Sequence, residues 1–348
     1  MRRLLLTACI LGSSLILFAQ PPEGYYTPAM GLSGEDLKTA LFTIIKDHTE
    51  FPYTASSTDT WDILKESDRD PDNAENVILF YTGWSVNAAQ EYNNEKGWNR
   101  EHVWAKSRGD FGTAIGPGTD THNLRPSDIS VNFARGNRWF DNCTIPVLDE
   151  GLETGCYISN TDWVWQPRDE VKGDVARMIF YMATRYEGEN GEPDLVVIDY
   201  LPSNDFTYDP IHAKLGTLLE WHQEDSVSSF EQNRNEVIFG YKGNRNPFVD
   251  HPEYVYKIWG SGYGVSIDNT MPDHFRIYPN PVHDLLTISF KELEEYTIEI
   301  NSLNGQVLYR AKTSASSFQI DLSSFPRGLY LINIRTNEFV NTKKILLQ

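Results

Sequence analysis

Two textures of hydrophobic spacing divide this chain before any single residue is considered. From Ser33 to Asp47 the apolar residues Leu37, Leu41, Ile44 and Ile45 recur at the interval that places them on one helical face, with Ser33 and Asp36 set as a capping pair. A longer stripe of Val171, Val175, Met178, Ile179 and Met182 predicts a helix over 169–186 behind an acidic first turn. Helical patterns also cover 211–223 and 226–239, the second opened by Ser226 as N-cap. Strand signals in this part are few, the clearest over 77–81, so the expected fold is α+β, mainly helical around a small sheet.

Small residues interrupt the pattern at 260–264, and beyond Pro272 it becomes short alternating runs. Strands are expected at 275–278, 285–290, 297–301, 306–310, 318–322, 329–335 and 342–347, with Asn304-Gly305 as a hairpin turn. So many strands in so short a stretch predict a small all-β sandwich. The expected plan is therefore 1–19 as a leader, 20–262 as the first domain, 263–273 as a linker and 274–348 as the sandwich.

The leader reads Met1-Arg2-Arg3 followed by an apolar run from Leu4 to Ala19, which is a secretory signal peptide too short to anchor stably in a bilayer. A rival reading takes Leu6-Thr7-Ala8-Cys9 as a lipoprotein box. No later stretch reaches spanning length, so no stable membrane span is expected. With Cys9 removed, Cys143 and Cys156 remain, to be either paired in an oxidising compartment or buried as free thiols.

Charge narrows the function. Thirty basic against 49 acidic side chains give a net charge of −19, which repels bulk polyanions and confines any nucleic-acid chemistry to a local site. Between Trp98 and Asp141 the sign reverses, where Arg100, Lys106, Arg108, Arg125, Arg135 and Arg138 outnumber Glu101, Asp110, Asp120 and Asp128. The same stretch holds His102, His122, Asn123 and Asn132. Phosphodiester hydrolysis needs an activated water, neutralised phosphoryl oxygens and help for the leaving oxygen. A histidine titrating near neutrality can take the proton, and one carboxylate with one amide carbonyl suffices for magnesium. Glu101, His102 and Asn132 supply that set.

Glycine and proline at Gly112, Gly116, Pro117 and Gly118 demand a loop between an extended segment ending at Glu101-His102 and another beginning near Thr121. Ser127 as N-cap and Gly136 as terminator bound a short helix with Asp128, Asn132 and Arg135 on one face. The result is a ββα unit. Because neighbouring strand residues point to opposite faces, Glu101 and His102 reach one site only at a bulge or a strand end.

Four segments, W-N-R-E-H-V-W at 98–104, D-T-H-N-L-R-P-S at 120–127, V-N-F-A-R-G-N at 131–137 and G-N-R-N-P-F-V-D-H-P at 243–252, resemble the endonuclease I family over roughly 32–260. That resemblance implies a secreted His-Me finger (ββα-metal) nuclease acting on DNA, RNA or both. It makes His102 the general base, Glu101 and Asn132 ligands of magnesium, with manganese or calcium as alternatives, and an arginine the phosphate clamp. Arg108 and Arg125 compete for the last role, because Thr121 and a shorter loop depart from the family pattern. His122 and Asn123 are expected to hold the turn, and Arg135, Asn137 and Arg138 either contact substrate or solvate the helix end. In the fourth segment Asp250 is expected as an N-cap within a structural buttress. His48, His212 and His222 carry no assignment.

The tail motifs at 278–281, 303–305, 328–332 and Lys344 resemble the C-terminal sorting domain of the type IX secretion system, which implies recognition by the secretion machinery. Against the nuclease stand a catalytically silent surface adhesin or binding protein on the same scaffold and a phosphodiesterase for small nucleotides. No base-reading set is visible, so sequence-specific cleavage is not expected.

Overall fold

The computed structural model describes residues 20–93, 96–202, 208–260, 275–278, 282–290, 295–302, 307–336 and 340–347. The expected leader, the whole of the expected linker and the Asn304-Gly305 turn lie outside the described residues. Two units separate, 1–255 and 256–348.

The first unit is mixed α+β, as expected, but its strands form several small sheets rather than one. In chain order it contains α1 (Gly34–Ile45), α2 (Thr60–Ser67), β1 (Asn76–Ile78), β2 (Ser85–Asn87), β3 (Trp98–His102), β4 (Leu124–Asp128), α3 (Ile129–Arg135), β5 (Trp139–Phe140), β6 (Ile145–Asp149), β7 (Leu152–Ser159) and β8 (Val164–Gln166). It continues through α4 (Lys172–Arg185), β9 (Val196–Ile198), β10 (Ile211–Ala213), α5 (Leu215–Glu224), α6 (Ser229–Lys242) and α7 (Pro247–Asp250), and α8 (Glu253–Trp259) begins in it. Most of these strands run only two to five residues, too short to show a period. β4 buries Leu124, Arg125, Pro126 and Ser127 in succession, so it shows no alternation.

Packing also corrects several boundaries. Ser33 stands at the head of α1 without a side-chain cap bond, and the cap of α6 is Ser228, which accepts from the Glu231 amide, rather than Ser226. The stretch read as helix from 211 starts instead as β10, parallel to β9, because His212 is drawn in among Trp104, Trp139 and Phe140. Asp128, not Ser127, caps α3, accepting from the Ser130 and Val131 amides. Asn246 caps α7, and Asp250 instead binds Arg245 and the Tyr26 hydroxyl. The stripe over 169–186 begins with a 3-10 turn and continues as α4, all fourteen residues of which are buried. A helix buried on every side is the central beam of this unit.

The second unit is a two-sheet sandwich, β11 (Phe275–Tyr278), β12 (Leu285–Phe290) and β15 (Ser317–Asp321) in one sheet, β14 (Val307–Thr313), β13 (Tyr296–Asn301), β16 (Gly328–Arg335) and β17 (Val340–Leu347) in the other. Leu286, Ile288, Ile298, Ile300, Ile332 and Ile345 fill its core, as the alternation requires.

Candidate active site

β3 and β4 pair antiparallel, Glu101 opposite Arg125 and His102 opposite Leu124, and α3 follows β4 without an intervening loop. The ladder is regular and stops at His102, so a strand end, not a bulge, frees His102 from the pleat. Beyond it the chain is held by Asn123, whose Oδ1 accepts from the Trp104 amide at 2.7 Å while its Nδ2 donates to the Trp104 carbonyl at 3.2 Å. One buried side chain thus fixes the exit of β3 against the entry of β4.

Glu101, His102 and Asn132 meet on the wall of a cleft of about 880 Å³, together with Tyr53, Asn99, Arg100, Lys106, Arg135, Arg138 and Trp163. Four cations against a single carboxylate make this wall positive on a strongly acidic chain.

His102 is buried, and its Nε2 lies 2.9 Å from the Gly118 carbonyl. A carbonyl only accepts, so Nε2 carries the proton and Nδ1 is the basic nitrogen. Burial pushes its pKa down to about 3, the neighbouring Lys106, Arg100 and Arg135 adding to the effect, so the ring is neutral at working pH. Gly118 is a glycine for a steric reason: a Cβ there would lie 2.7 Å from the Gly112 carbonyl oxygen and 2.8 Å from that of Ala114.

Glu101 is buried, receives the Tyr81 hydroxyl at 2.7 Å on Oε1 and faces Arg135 Nε at 3.3 Å. Desolvation raises its pKa, opposed by Arg135 and by the tyrosine hydrogen bond. Arg135 is fully buried and also donates to the carbonyls of Val103 at 2.6 Å and Gly136 at 2.9 Å. It braces the carboxylate and the strand exit, with no surface left for substrate. Asn132 is half-buried, and its Nδ2 donates to Asn99 Oδ1 at 2.8 Å, which fixes the amide so that the carbonyl oxygen is the group left for other partners.

The two arginines expected to compete for the phosphate lie away from this wall. Arg108 is 0 % exposed, stacked on Trp139 and donating to the Asn137 carbonyl at 2.9 Å. Arg125 is buried between Asp68 at 2.8 Å and Asp174 at 3.2 Å. Neither reaches the cleft, because a guanidinium on β4 opposite Glu101 is turned into an internal ion network. Arg138 does line the cleft, held there by the Ala134 carbonyl and Asn160 Oδ1. Lys106 lines it too, and its side chain is exposed. His122 sits deep in the unit, 3.3 Å from the Asn244 carbonyl and against Tyr181. Sequence reasoning missed Tyr53, Tyr81, Asn99 and Gly118. Two of these carried a signal, Gly118 as the last glycine of a loop-forming cluster and Asn99 as part of the segment at 98–104.

Among the described residues no group of three or more His, Cys, Asp or Glu could hold a metal ion. Glu101 with the Asn132 carbonyl is a smaller set of hard oxygens, and it fits a cation that retains most of its own waters. Cys143 and Cys156 are both free thiols. Among the described residues no helix is long and apolar enough to cross a membrane.

Residues 33–253 match the family described as Endonuclease I, and residues 276–348 match the Secretion system C-terminal sorting domain. The chain is 49% identical over 238 residues to the "Extracellular ribonuclease" of Bacillus subtilis (strain 168), covering 68% of this chain and 78% of that protein. It is 49% identical over 248 residues to the protein of the same name from Bacillus amyloliquefaciens, covering 71% and 82%. The "Endonuclease-1" of Buchnera aphidicola subsp. Baizongia pistaciae (strain Bp) is 26% identical over 132 residues, covering 38% of this chain and 46% of that protein.

Proposed function

The chain belongs to the endonuclease I family, and from that premise we propose that its cleft is a metal-dependent, His-Me finger centre that hydrolyses phosphodiester bonds in RNA and DNA without strong sequence preference. The chain is a nuclease that carries a secretion-sorting domain, a secreted or cell-surface protein. The reading of its chemistry rests above all on one observation, that β3 ends at His102 so that Glu101, His102 and the Asn132 of the next helix line one positive cleft.

His102 is the general base. Its Nε2–H is tied to Gly118, which leaves Nδ1 to accept a proton from water. Burial above all holds the ring near 3, where it is a weak base, and Lys106, the exposed one among the cations that add to this, is the charge a bound polyanion would neutralise. Substrate therefore raises its basicity on arrival. Glu101 and the Asn132 carbonyl would hold magnesium, which when bound neutralises charge on the phosphoryl oxygens. Tyr81 and Arg135 orient the Glu101 carboxylate, and Asn99 orients the Asn132 amide. Lys106 takes the phosphate-contacting role that Arg108 and Arg125 are too deeply buried to fill. The residue pair Glu101 and His102 argues against the catalytically silent adhesin.

The test is incubation of the purified protein with RNA and with plasmid, with and without chelator, beside His102→Ala. Cleavage should vanish in chelator and return with magnesium or manganese. His102→Ala should lose orders of magnitude in turnover while its affinity for oligonucleotide stays near that of the parent. Full activity in excess chelator would defeat the metal reading, and an unchanged rate in His102→Ala would defeat the base.

A further inference from the structure

Phe133 is 86 % exposed and lines the cleft one residue after Asn132. A phenylalanine so placed adds nothing to a core, and its neighbours on α3 are turned to other work, Val131 and Arg135 being buried. The other aromatics of the cleft are engaged. Tyr53 carries the Arg100 guanidinium 3.4 Å from its ring centre and stacks on His102 at 5.8 Å. Trp163 carries that of Arg138 at 3.9 Å and donates its indole N–H to Asn137 Oδ1 at 2.8 Å. Phe133 keeps its ring open to solvent beside the proposed ligands Glu101 and Asn132.

We propose that Phe133 is a stacking platform for an unpaired nucleobase flanking the scissile phosphate, and that the enzyme consequently acts on single strands in preference to duplex. The proposal rests on the reading of the cleft as the nuclease centre, since that reading places a phosphodiester, and hence a base, next to Asn132. Only an unpaired base offers its π-face to a side chain, because in a duplex both faces are covered by neighbouring pairs and the edges alone are open. Charge makes the contribution necessary. On a chain of net charge −19 the cleft's few cations anchor a polyanion weakly, and stacking adds an attraction that salt does not screen and that any base satisfies.

The measurement compares the parent with Phe133→Ala and Phe133→Trp on a short fluorescent single-stranded oligoribonucleotide and on its duplex. Binding is read by anisotropy in chelator, and cleavage is then read with magnesium present. Phe133→Ala should weaken single-strand binding by about 5- to 100-fold, the span expected for one stacked base, while duplex binding stays within about twofold. Phe133→Trp should restore the single-strand value. Equal losses on both substrates, or none on the single strand, overturn the stacking role. If Phe133→Ala loses single-strand affinity but the parent cuts neither substrate, stacking stands and the nuclease reading alone fails.

Discussion

The most searching perturbation of the cleft is Tyr81→Phe, because it removes one oxygen and leaves the ring where Trp165 packs it, centroids 5.3 Å apart. The lost group is a fully buried hydroxyl that donates to Glu101 Oε1 at 2.7 Å, and its own pKa lies well above the ordinary tyrosine value, so it is a donor at every working pH. A hydrogen bond to a charged group contributes about 1.5–3 kcal/mol. Arg135 stays within 3.3 Å of the same oxygen, which points to the lower half of that range. For a unit of this size each kcal/mol corresponds to about 2–4 °C, so the nuclease unit should melt roughly 3–8 °C lower in thermal circular dichroism. The second effect is electrostatic. Desolvation holds the folded pKa of Glu101 above its unfolded value, so its contribution to stability is full below the ordinary carboxylate range and is lost as pH rises through the folded value. The tyrosine bond works against that rise, and deleting it pushes the carboxyl up further. Proton and cation compete for the same oxygens, so the pH midpoint for magnesium binding, followed by calorimetry, should move upward in the variant. An unchanged melting temperature would show that the hydroxyl does not support Glu101. An unchanged midpoint would remove Glu101 from the ligand set.

Three further outcomes follow from the same geometry. Gly118→Ala places a Cβ against the Gly112 and Ala114 carbonyls, so it should displace the acceptor of His102 and lower kcat by about tenfold or more with KM little changed; a parent-like kcat would mean the loop yields without cost. Asn132→Asp should keep magnesium binding in calorimetry while Asn132→Ala loses it, and an alanine variant that binds like the parent, with its fold intact by circular dichroism, would shift the search for a ligand elsewhere. Acid should destabilise the nuclease unit, because burial holds His48 at about 4, His102 at about 3 and His222 at about 3, so the unfolded chain takes up protons first as pH falls below about 6.5. Each costs about 2 kcal/mol between pH 7 and 5, while Glu231, raised to about 7, gains a proton in the folded state and offsets about one of them; a melting temperature flat across that interval would contradict the burial of these rings.

The sequence by itself determined whatever depends on neighbours along the chain. The period of Val175, Ile179 and Met182 marked α4, the alternation past residue 275 marked the sandwich, and the crowding of Glu101, His102 and Asn132 into a locally cationic stretch marked the cleft. Gly136 was legible as the stop of α3, because a left-handed φ there favours glycine. Only the tertiary structure decided which cations face substrate. Arg108, Arg125 and Lys106 are equivalent in a composition, yet two are drawn inside, one stacked on Trp139 and the other bound by Asp68 and Asp174, and the third is left exposed on the cleft. The partners that bury an arginine are remote in sequence and become near only on folding, as Tyr81 does for Glu101 across twenty residues and Asn99 for Asn132 across thirty-three. Local pattern selects the elements. Desolvation, and the pairing it forces on every buried charge, selects which of their side chains remain free to do chemistry.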